Sequence, residues 1–169
     1  MRPADFVSKG EKLVAADDPA LRYTGRIDFD DPGAPILVYP YSSVEMCFSG
    51  TGLKVILKNR NAYSDNYIGC VIDGVQSKTM IPENGKMLCL PLAEGLENSE
   101  HDLFFFKRMD SCHEFAFYGF VVDENAAAMP PREKRPARRI EVYGDSVSAG
   151  EVSEAVEYAG KADPPNNGE

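Results

Sequence analysis

The chain has 169 residues, of which 43% are hydrophobic and 27% charged, so it can bury one sizeable core but not two ordinary ones. Its 18 Lys and Arg against 27 Asp and Glu leave a net charge of -9, which argues against nucleic acid or an anionic membrane as a partner. No apolar run approaches the roughly 20 residues of a membrane-spanning helix, and the first residues lack the apolar region of a secretion signal. We therefore expect a soluble protein located in the cytoplasm.

The beginning of the chain differs in pattern from the hundred or so residues after it. Phe6, Val7 and Leu13 recur at helical spacing and predict a helix over residues 5–16. From residue 21 to residue 123, short segments of alternating apolar and polar side chains are separated by turn residues. This second pattern is typical of an all-β fold.

Two turn sequences predict how strands follow one another. The strands on either side of Ser49-Gly50-Thr51-Gly52 are expected to pair directly with each other. Asp73-Gly74 separates two further strands, and because both positions tolerate positive φ it predicts a tight hairpin. Apolar runs over 86–92, 103–107 and 115–122 extend the series to about eight or nine strands, a number that predicts a β-sandwich of the jelly-roll type.

The cysteines contain no C-x-x-C pair, which excludes the usual zinc spacing and a dense disulfide framework. They are Cys47, Cys70, Cys89 and Cys112. Each is expected to be a buried, reduced thiol in an apolar stretch, with a lone disulfide as the alternative.

The composition changes after the alternating region, and the change predicts three parts of the chain. Residues 1–129 are assigned to the β-sandwich domain. Residues 130–139 are basic and broken by prolines, which predicts a solvated linker, with a phosphate or RNA patch as the alternative. Residues 140–169 open with a predicted strand, Ile140 to Tyr143, and are interpreted as the incomplete start of a second, α/β domain.

The turn after that predicted strand carries the candidate chemistry. Gly144-Asp145-Ser146, followed by Val147 and Ser148, resembles the first conserved block of the SGNH, or GDSL, hydrolases. A serine nucleophile needs a sharp turn, a base and backbone N–H groups aimed at the oxyanion. The resemblance implies that Ser146 is the nucleophile and donates one oxyanion N–H, that Asp145 orients the turn, and that Gly144 permits close backbone approach. An ordinary surface turn is the alternative.

A β-domain of this length joined directly to such a block is similar to family 2 carbohydrate esterases. The stretches that carry the likeness are Leu92-Ala93-Glu94-Gly95-Leu96, Glu100-His101-Asp102-Leu103 and Phe106-Lys107-Arg108. The resemblance implies a mainly β chain, in which a jelly-roll-like β-sandwich is followed by the truncated start of an α/β SGNH domain. It also implies removal of acetyl groups from plant-wall polysaccharides such as xylan or glucomannan, without a metal or organic cofactor. The alternative function is a non-catalytic carbohydrate-binding module.

The remaining parts of the family's site belong to later blocks that this sequence does not contain, including the histidine that acts as base. His101 and His113 lie in the β-domain, so we expect both to be structural, with His101 hydrogen-bonded to a carboxylate. Cys112 beside His113 has no second pair to complete a zinc site. We therefore expect this chain to be inactive by itself and to depend on a carboxyl-terminal SGNH domain.

Three further groups of residues have a structural and a functional interpretation. Asp28, Asp30 and Asp31 are expected to form a turn, with calcium binding as the alternative. Phe104-Phe105-Phe106 is expected to be buried on both faces of its strand, with one face against the missing second domain. Four tyrosines are expected to lie in the core, with sugar stacking as the alternative. They are Tyr39, Tyr41, Tyr63 and Tyr67.

Overall fold

The alternating segments form strands in a computed structural model that describes residues 1–62, 65–82 and 85–150. These ranges contain a 3-10 helix, Pro3–Phe6, twelve strands and one short helix, α1 (Ser146–Ala149). The strands are β1 (Glu11–Ala15), β2 (Arg22–Thr24), β3 (Ile27–Asp28), β4 (Ile36–Leu37), β5 (Ser43–Gly50), β6 (Leu53–Asn61), β7 (Asn66–Ile72), β8 (Val75–Ile81), β9 (Met87–Ala93), β10 (Ser99–Lys107), β11 (His113–Asp123) and β12 (Ala128–Met129).

The strands pair antiparallel in two sheets. Sheet 1 has the order β3-β4-β11-β6-β9, and β1 also pairs with β11. Sheet 2 has the order β12-β5-β10-β7-β8, and β2 also pairs with β5. Because neighbours within each sheet are distant in sequence, most of the pairing is long-range. The predicted β-sandwich is confirmed.

The core lies between the two sheets and is centred on aromatic rings. Phe105 of β10 is completely buried, and its ring lies 5.9 Å from that of Phe115 and 5.6 Å from that of Phe120. The rings of Phe117 and Phe120 are 4.9 Å apart in an edge-to-face arrangement. Edge-to-face pairs of this kind add to the stability that burial of the rings supplies. The alternation seen in the sequence therefore reports which side chains face this core.

The predicted hairpin at Asp73-Gly74 is confirmed. Asp73 has φ 50° and Gly74 has φ 82°, so both residues adopt the left-handed conformation that a two-residue hairpin requires. The turn sets the register of β7 and β8 from Ile72 opposite Val75 to Asn66 opposite Ile81.

The predicted pairing of the strands around Ser49-Gly50-Thr51-Gly52 is wrong. β5 belongs to sheet 2 and β6 to sheet 1, so the turn carries the chain from one sheet to the other. Gly50 has φ 119°, and the carboxylate of Asp123 accepts hydrogen bonds from the Thr51 backbone N–H and hydroxyl, at 2.6 and 3.0 Å. Alternation indicates which face of a strand is buried but does not identify its partner.

The predicted helix over 5–16 is also wrong. Only Pro3–Phe6 is helical, and Glu11–Ala15 forms β1 along β11, with Glu11 opposite Asp123 and Ala15 opposite Gly119. Val14 is 2% exposed in the core. Pairing with β11 and burial of Val14 outweigh the weak helical spacing of a short segment.

The four cysteines are free thiols, but they are not uniformly buried. Cys47 and Cys70 are buried, and burial raises the pKa of the Cys70 thiol to about 12. Cys89 is half-buried and Cys112 is exposed, so the prediction of four buried thiols is wrong for Cys112. Cys112 lies in the turn between β10 and β11, where its backbone N–H donates to Asp110 Oδ1 at 2.8 Å.

The chain after β12 is largely exposed. The predicted strand from Ile140 to Tyr143 is wrong, because no strand among the described residues pairs with it and its side chains face solvent. Ile140, Val142 and Tyr143 are 89%, 77% and 76% exposed. Residues 151–169 of the predicted second domain lie outside the described residues, and the boundaries 1–129, 130–139 and 140–169 stay a prediction. Across the residues that the structure describes, no helix has the length and apolarity to cross a membrane.

Candidate active site

The candidate nucleophile lies in a capped turn at the start of α1. Asp145 precedes the helix in extended conformation, and its carboxylate accepts a hydrogen bond from the Val147 backbone N–H at 3.1 Å. The Asp145 carbonyl also accepts from the Ala149 N–H at 3.1 Å. The side chain of Asp145 therefore acts as the cap that sets the direction of the backbone at Ser146.

Two glycines bound this turn. A Cβ atom added to Gly144 would lie 2.2 Å from the Ser148 hydroxyl oxygen, so a larger residue requires Ser148 to move. Gly150 has φ 87° and ends the helix, with its N–H donating to the Val147 carbonyl at 3.2 Å. Glycine at position 144 therefore leaves room for Ser148, and the left-handed residue at position 150 ends α1.

Ser146 is exposed, and within the described part of the chain no hydrogen bond joins it to a histidine. His101 uses both ring nitrogens inside the sandwich: Nδ1 lies 2.6 Å from Asp73 Oδ2, and Nε2 lies 2.9 Å from the Glu97 carbonyl. His113 is completely buried at the start of β11. The sandwich therefore leaves the serine without the base that nucleophilic activation requires.

The pKa values of the two histidines are shifted in opposite directions. Burial of His101 opposes protonation, but hydrogen bonds to Asp73 and Glu97 outweigh it and raise the pKa of the imidazole. The bond from His101 lowers the pKa of the Asp73 carboxyl. Burial lowers the pKa of His113. The predicted hydrogen bond from His101 to a carboxylate is confirmed, and it joins the β7–β8 hairpin to β10.

Arg26 connects the sandwich to the segment that precedes the candidate nucleophile. Its Nε lies 2.5 Å from Glu141 Oε1, and its NH2 nitrogen lies 2.7 Å from the hydroxyl of Tyr143, whose ring centroid is 5.4 Å from the guanidinium. The hydrogen bond to Glu141 raises the pKa of Arg26, and the bond from Arg26 lowers the pKa of Glu141. These contacts are exposed, so they orient the segment more than they stabilise the fold.

The basic segment 130–139 is irregular and mostly exposed, yet it lies against sheet 2. The guanidinium of Arg132 lies 3.0 Å from carboxylate oxygens of both Glu100 and Asp102 on β10. Arg135 donates to the Tyr23 carbonyl at 2.6 Å. We call residues 130–135 the strap. Two of its arginines are therefore occupied by groups of the sandwich itself.

The aspartates expected to form a turn, and the Cys112-His113 pair, have local structural roles. Asp28 Oδ1 accepts from the Asp30 N–H at 2.9 Å, and Asp31 Oδ1 accepts from the Gly33 N–H at 3.0 Å, as expected of a turn. Cys112 points to solvent while the adjacent His113 is buried, so the pair does not face one ion. In residues 1–62, 65–82 and 85–150, no group of three or more histidine, cysteine or carboxylate side chains is arranged to hold a metal.

The four tyrosines that were expected in the core differ in their exposure. Tyr39 and Tyr41 are 50% and 68% exposed, so placing them in the core was wrong: they lie in a turn before β5, where alternation along a strand does not apply. Tyr67 is buried, with Lys78 Nζ 5.0 Å from its ring centroid. Tyr63 lies outside the described residues.

The phenylalanine run of β10 is distributed over both faces of its strand. Phe105 faces the core, Phe106 is 7% exposed on the opposite face, and Phe104 beside it is half-buried. Burial on both faces is therefore confirmed for Phe105 and Phe106, but Phe104 remains accessible.

Comparison with known proteins gives a consistent set of relatives. Residues 23–131 match the family described as carbohydrate esterase 2 N-terminal. A cellulase/esterase named CelE from Acetivibrio thermocellus is 32% identical over 133 residues, which are 78% of this chain and 16% of that protein.

Solved structures extend the likeness. A family two carbohydrate esterase from Clostridium thermocellum, in complex with cellohexaose, superimposes with a TM-score of 0.75 at 28% identity, over 88% of this chain and 44% of that one. A family two carbohydrate esterase from Cellvibrio japonicus gives a TM-score of 0.74 at 23% identity, over 93% of this chain and 44% of that one, which supports the fold. The chain thus spans less than half the length of each of these relatives.

Proposed function

Because this chain belongs to the family of carbohydrate esterase 2 N-terminal domains, we propose that it forms the amino-terminal portion of a serine-dependent carbohydrate acetyl esterase. The β-sandwich is then the accessory domain, and residues 140–150 begin an SGNH domain. The substrate class is an acetylated plant-wall polysaccharide or oligosaccharide such as xylan. The single observation that carries the proposal is the Gly144-Asp145-Ser146 turn, capped by the Asp145 carboxylate, which follows a sandwich of this family in the chain.

The proposed reaction is acyl transfer. As a base removes its proton, Ser146 Oγ bonds to the carbonyl carbon of the acetyl group, the C=O double bond becomes a C–O⁻ single bond, and the Ser146 backbone N–H donates to that oxyanion. The sugar oxygen then leaves with a proton returned by the base. Water attacks the acetyl-serine, releases acetate and restores the serine hydroxyl.

The base is proposed to come from a later, carboxyl-terminal part of the domain, because both histidines of this chain are held within the sandwich. Removing a member of a catalytic triad leaves only about 10³ to 10⁴-fold catalysis over water, and that remainder needs an intact oxyanion hole. We therefore expect the 169-residue chain to hydrolyse acetyl esters no faster than its Ser146→Ala variant.

The test is acetate release from an acetylated xylan oligosaccharide by three proteins. These are the chain by itself, the chain extended by a complete SGNH domain, and the extended chain with Ser146→Ala. Only the second protein is expected to be active. Activity of the chain by itself that depends on Ser146 would mean that a base lies within it, and the two-domain assignment would be wrong.

A second candidate function, a carbohydrate-binding module, is favoured by the exposed rings of Tyr39 and Tyr41. Tyrosine is enriched at binding interfaces, because its ring supplies apolar contact area and its hydroxyl a hydrogen bond. The two functions are compatible within one protein. Binding by a module requires neither Ser146 nor a second domain, so it is measurable on this chain directly.

Location in the cytoplasm stays a prediction.

A further inference from the structure

A cleft that the esterase mechanism does not use lies between the strap and the outer face of sheet 2. Its floor includes Phe104 and Val71, and its walls include Glu45, Asp102 and Arg132. Phe104 is directly opposite Glu45 on β5 and opposite Val71 on β7, so these three side chains form one row across the sheet. The cleft is open and shallow at the surface of the sandwich.

An aromatic shelf continues this cleft along β10. The ring of Tyr41 lies 5.3 Å from that of Phe104 and 5.5 Å from that of Phe106, and the two phenylalanine rings are 5.3 Å apart. Phe106 lies over Gly69, where an added Cβ would be 2.2 Å from the ring. The glycine lets Phe106 lie flat against the sheet and support Tyr41, which remains 68% exposed.

The backbone of Tyr41 holds that ring in position at an energetic cost. Its φ of 63° is left-handed, which is rare for a bulky residue without special need. The Tyr41 N–H donates to the Lys107 carbonyl at 2.8 Å, and the Lys107 N–H donates to the Ser42 carbonyl at 2.9 Å. Strained conformations that the surrounding structure maintains are concentrated at sites of function. Here the strained residue presents an aromatic face to solvent.

The charges around the cleft are paired with one another. Arg22 Nε donates to Glu45 at 3.3 Å, and Arg132 binds both Glu100 and Asp102 at 3.0 Å. The surface therefore offers many hydrogen-bonding groups. An anionic ligand would meet four carboxylates, Glu45, Glu100, Asp102 and Glu133, against the two arginines, on a chain of net charge -9. A neutral, polyhydroxylated ligand fits these groups best.

The outer face of β10 also has the right length for an extended ligand. Glu100, Asp102, Phe104 and Phe106 point to the same face, and from the first to the last the strand covers about 20 Å. The acidic end lies under the strap, and the aromatic end lies under Tyr41.

We propose that this surface is a second carbohydrate site, which binds a neutral, extended oligosaccharide away from Ser146. Sugar faces stack on Tyr41 and Phe104, and sugar hydroxyls bond to Glu45, Asp102 and Arg132. The choice of a carbohydrate rests on the proposed function. The location rests on the cleft, the shelf and the strained tyrosine. The site holds the polysaccharide chain while the catalytic turn acts on its acetyl groups.

The test is isothermal titration of the whole 169-residue chain with cellohexaose and with xylohexaose. Tyr41→Asn is expected to weaken binding by about tenfold, the loss of one stacking contact, because asparagine tolerates the left-handed backbone but has no ring. Tyr41→Phe is expected to bind like the original chain. Arg132→Gln tests the polar wall without touching the strained turn, and it is expected to weaken binding severalfold.

The matched control is Phe29→Asn, which removes an aromatic ring that is 45% exposed beside sheet 1 and is expected to leave binding unchanged. Thermal unfolding of each variant establishes that it is folded. Absence of binding by the original chain would overturn the proposal. Equal affinity of Tyr41→Asn would overturn it too, as would self-association that depends on Tyr41, because the shelf would then be a protein interface.

The proposed sugar site and the proposed esterase activity are tested by separate measurements, so one proposal can fail without the other. Binding is measured on the chain by itself, whereas acetate release is measured on the extended chain. Sugar binding without Ser146-dependent acetate release supports the second site and contradicts the esterase assignment. Acetate release without binding by the chain supports the esterase and contradicts the second site. Loss of binding in Ser146→Ala but not in Tyr41→Asn would assign the sugar to the catalytic turn and overturn the proposal.

Discussion

The β-sandwich and the segment after it are held by different forces. In the sandwich, strands pair across long sequence distances and the largest apolar side chains are completely buried. From residue 130 to residue 150, apolar side chains such as Ile140 and Val147 are exposed, and arginine contacts attach the segment to the sandwich. Burial of apolar area supplies most folding free energy, while exposed ion pairs supply little. The sandwich therefore sets the stability of the chain, and the arginine contacts set only the position of the candidate site.

The largest expected effect lies at the centre of the sandwich. Phe105→Ala removes a fully buried ring that contacts Phe115 and Phe120, so it is expected to lower the free energy of unfolding by about 3 to 5 kcal/mol. Val142→Ala, at a position 77% exposed, is expected to change it by less than about 0.5 kcal/mol. Urea denaturation measures both. Similar losses in the two variants would mean that residues 140–143 are packed as the sandwich is.

A second prediction concerns the packing of β1 against β11. Gly119 has φ 131°, and an added Cβ would lie 2.2 Å from the Val14 carbonyl oxygen. Gly95 has φ 69°, but an added Cβ there meets nothing within 4 Å. Gly95→Ala is therefore expected to cost about 1 kcal/mol for the left-handed backbone, and Gly119→Ala about 2 kcal/mol more because β1 must move away from β11. Equal denaturation midpoints would show that β1 does not contribute to the sandwich.

The third prediction concerns the pH dependence of the His101 contact with Asp73. Because the pKa of His101 is raised, its contribution to stability is fully present below its usual value of 6.5 and is lost as the pH rises through the raised pKa. The pKa of Asp73 is lowered, so its contribution is present above its usual value of 3.8 and is lost as the pH falls through the lowered pKa.

Between pH 3.8 and pH 6.5 the contact contributes fully to stability. In this pH range His101→Gln is expected to lower the free energy of unfolding by about 1.5 kcal/mol. The difference between the original chain and the variant should shrink as the pH rises above 6.5. Denaturation of both proteins over this pH range measures it, and Asp73→Asn should reproduce the result. A difference that grows with rising pH would contradict the assigned direction.

The smallest effect on stability is expected at the exposed arginine before the candidate site. Arg26→Met should leave the free energy of unfolding almost unchanged, because Arg26 and its partners are exposed. Chymotryptic cleavage at Tyr143 should nevertheless become faster, since the variant loses both contacts to Glu141 and Tyr143. Arg60→Met, which removes an ion pair to Glu114 within the sandwich, is the control. Unchanged cleavage in Arg26→Met would mean that other contacts position the segment.

Local features of the fold were predictable from the sequence. Asp73-Gly74 determines its own hairpin, because positive φ at two adjacent residues requires residue types that tolerate it. The Asp145 cap is local in the same sense, since its carboxylate binds an N–H two residues away. The candidate nucleophile was therefore found from a short stretch of sequence, while its base was not, because a base comes from a distant part of a fold.

The predictions that were wrong depended on contacts between distant parts of the chain. The helix expected over 5–16 gave way to β1, since β11 offers Glu11–Ala15 a pairing edge that local spacing does not reveal. The expected pairing of β5 with β6 failed because a turn that changes sheets has the same alternating flanks as a hairpin. Tyr41 was expected in the core from strand-like alternation, but it lies in a turn, and its ring packs on Phe104 and Phe106, which lie more than sixty residues later in the chain.

The sequence by itself determined the all-β character of residues 21–123, the faces of most strands and the turn that carries Ser146, because each depends on residues a few positions apart. The tertiary structure decided which sheet each strand joins, that Glu11–Ala15 is a strand, and that Arg132 and Tyr41 border one cleft on sheet 2. Backbone hydrogen bonds between distant strands form with almost any side chains. Their choice of partner therefore depends on how the whole core packs, which no local pattern encodes.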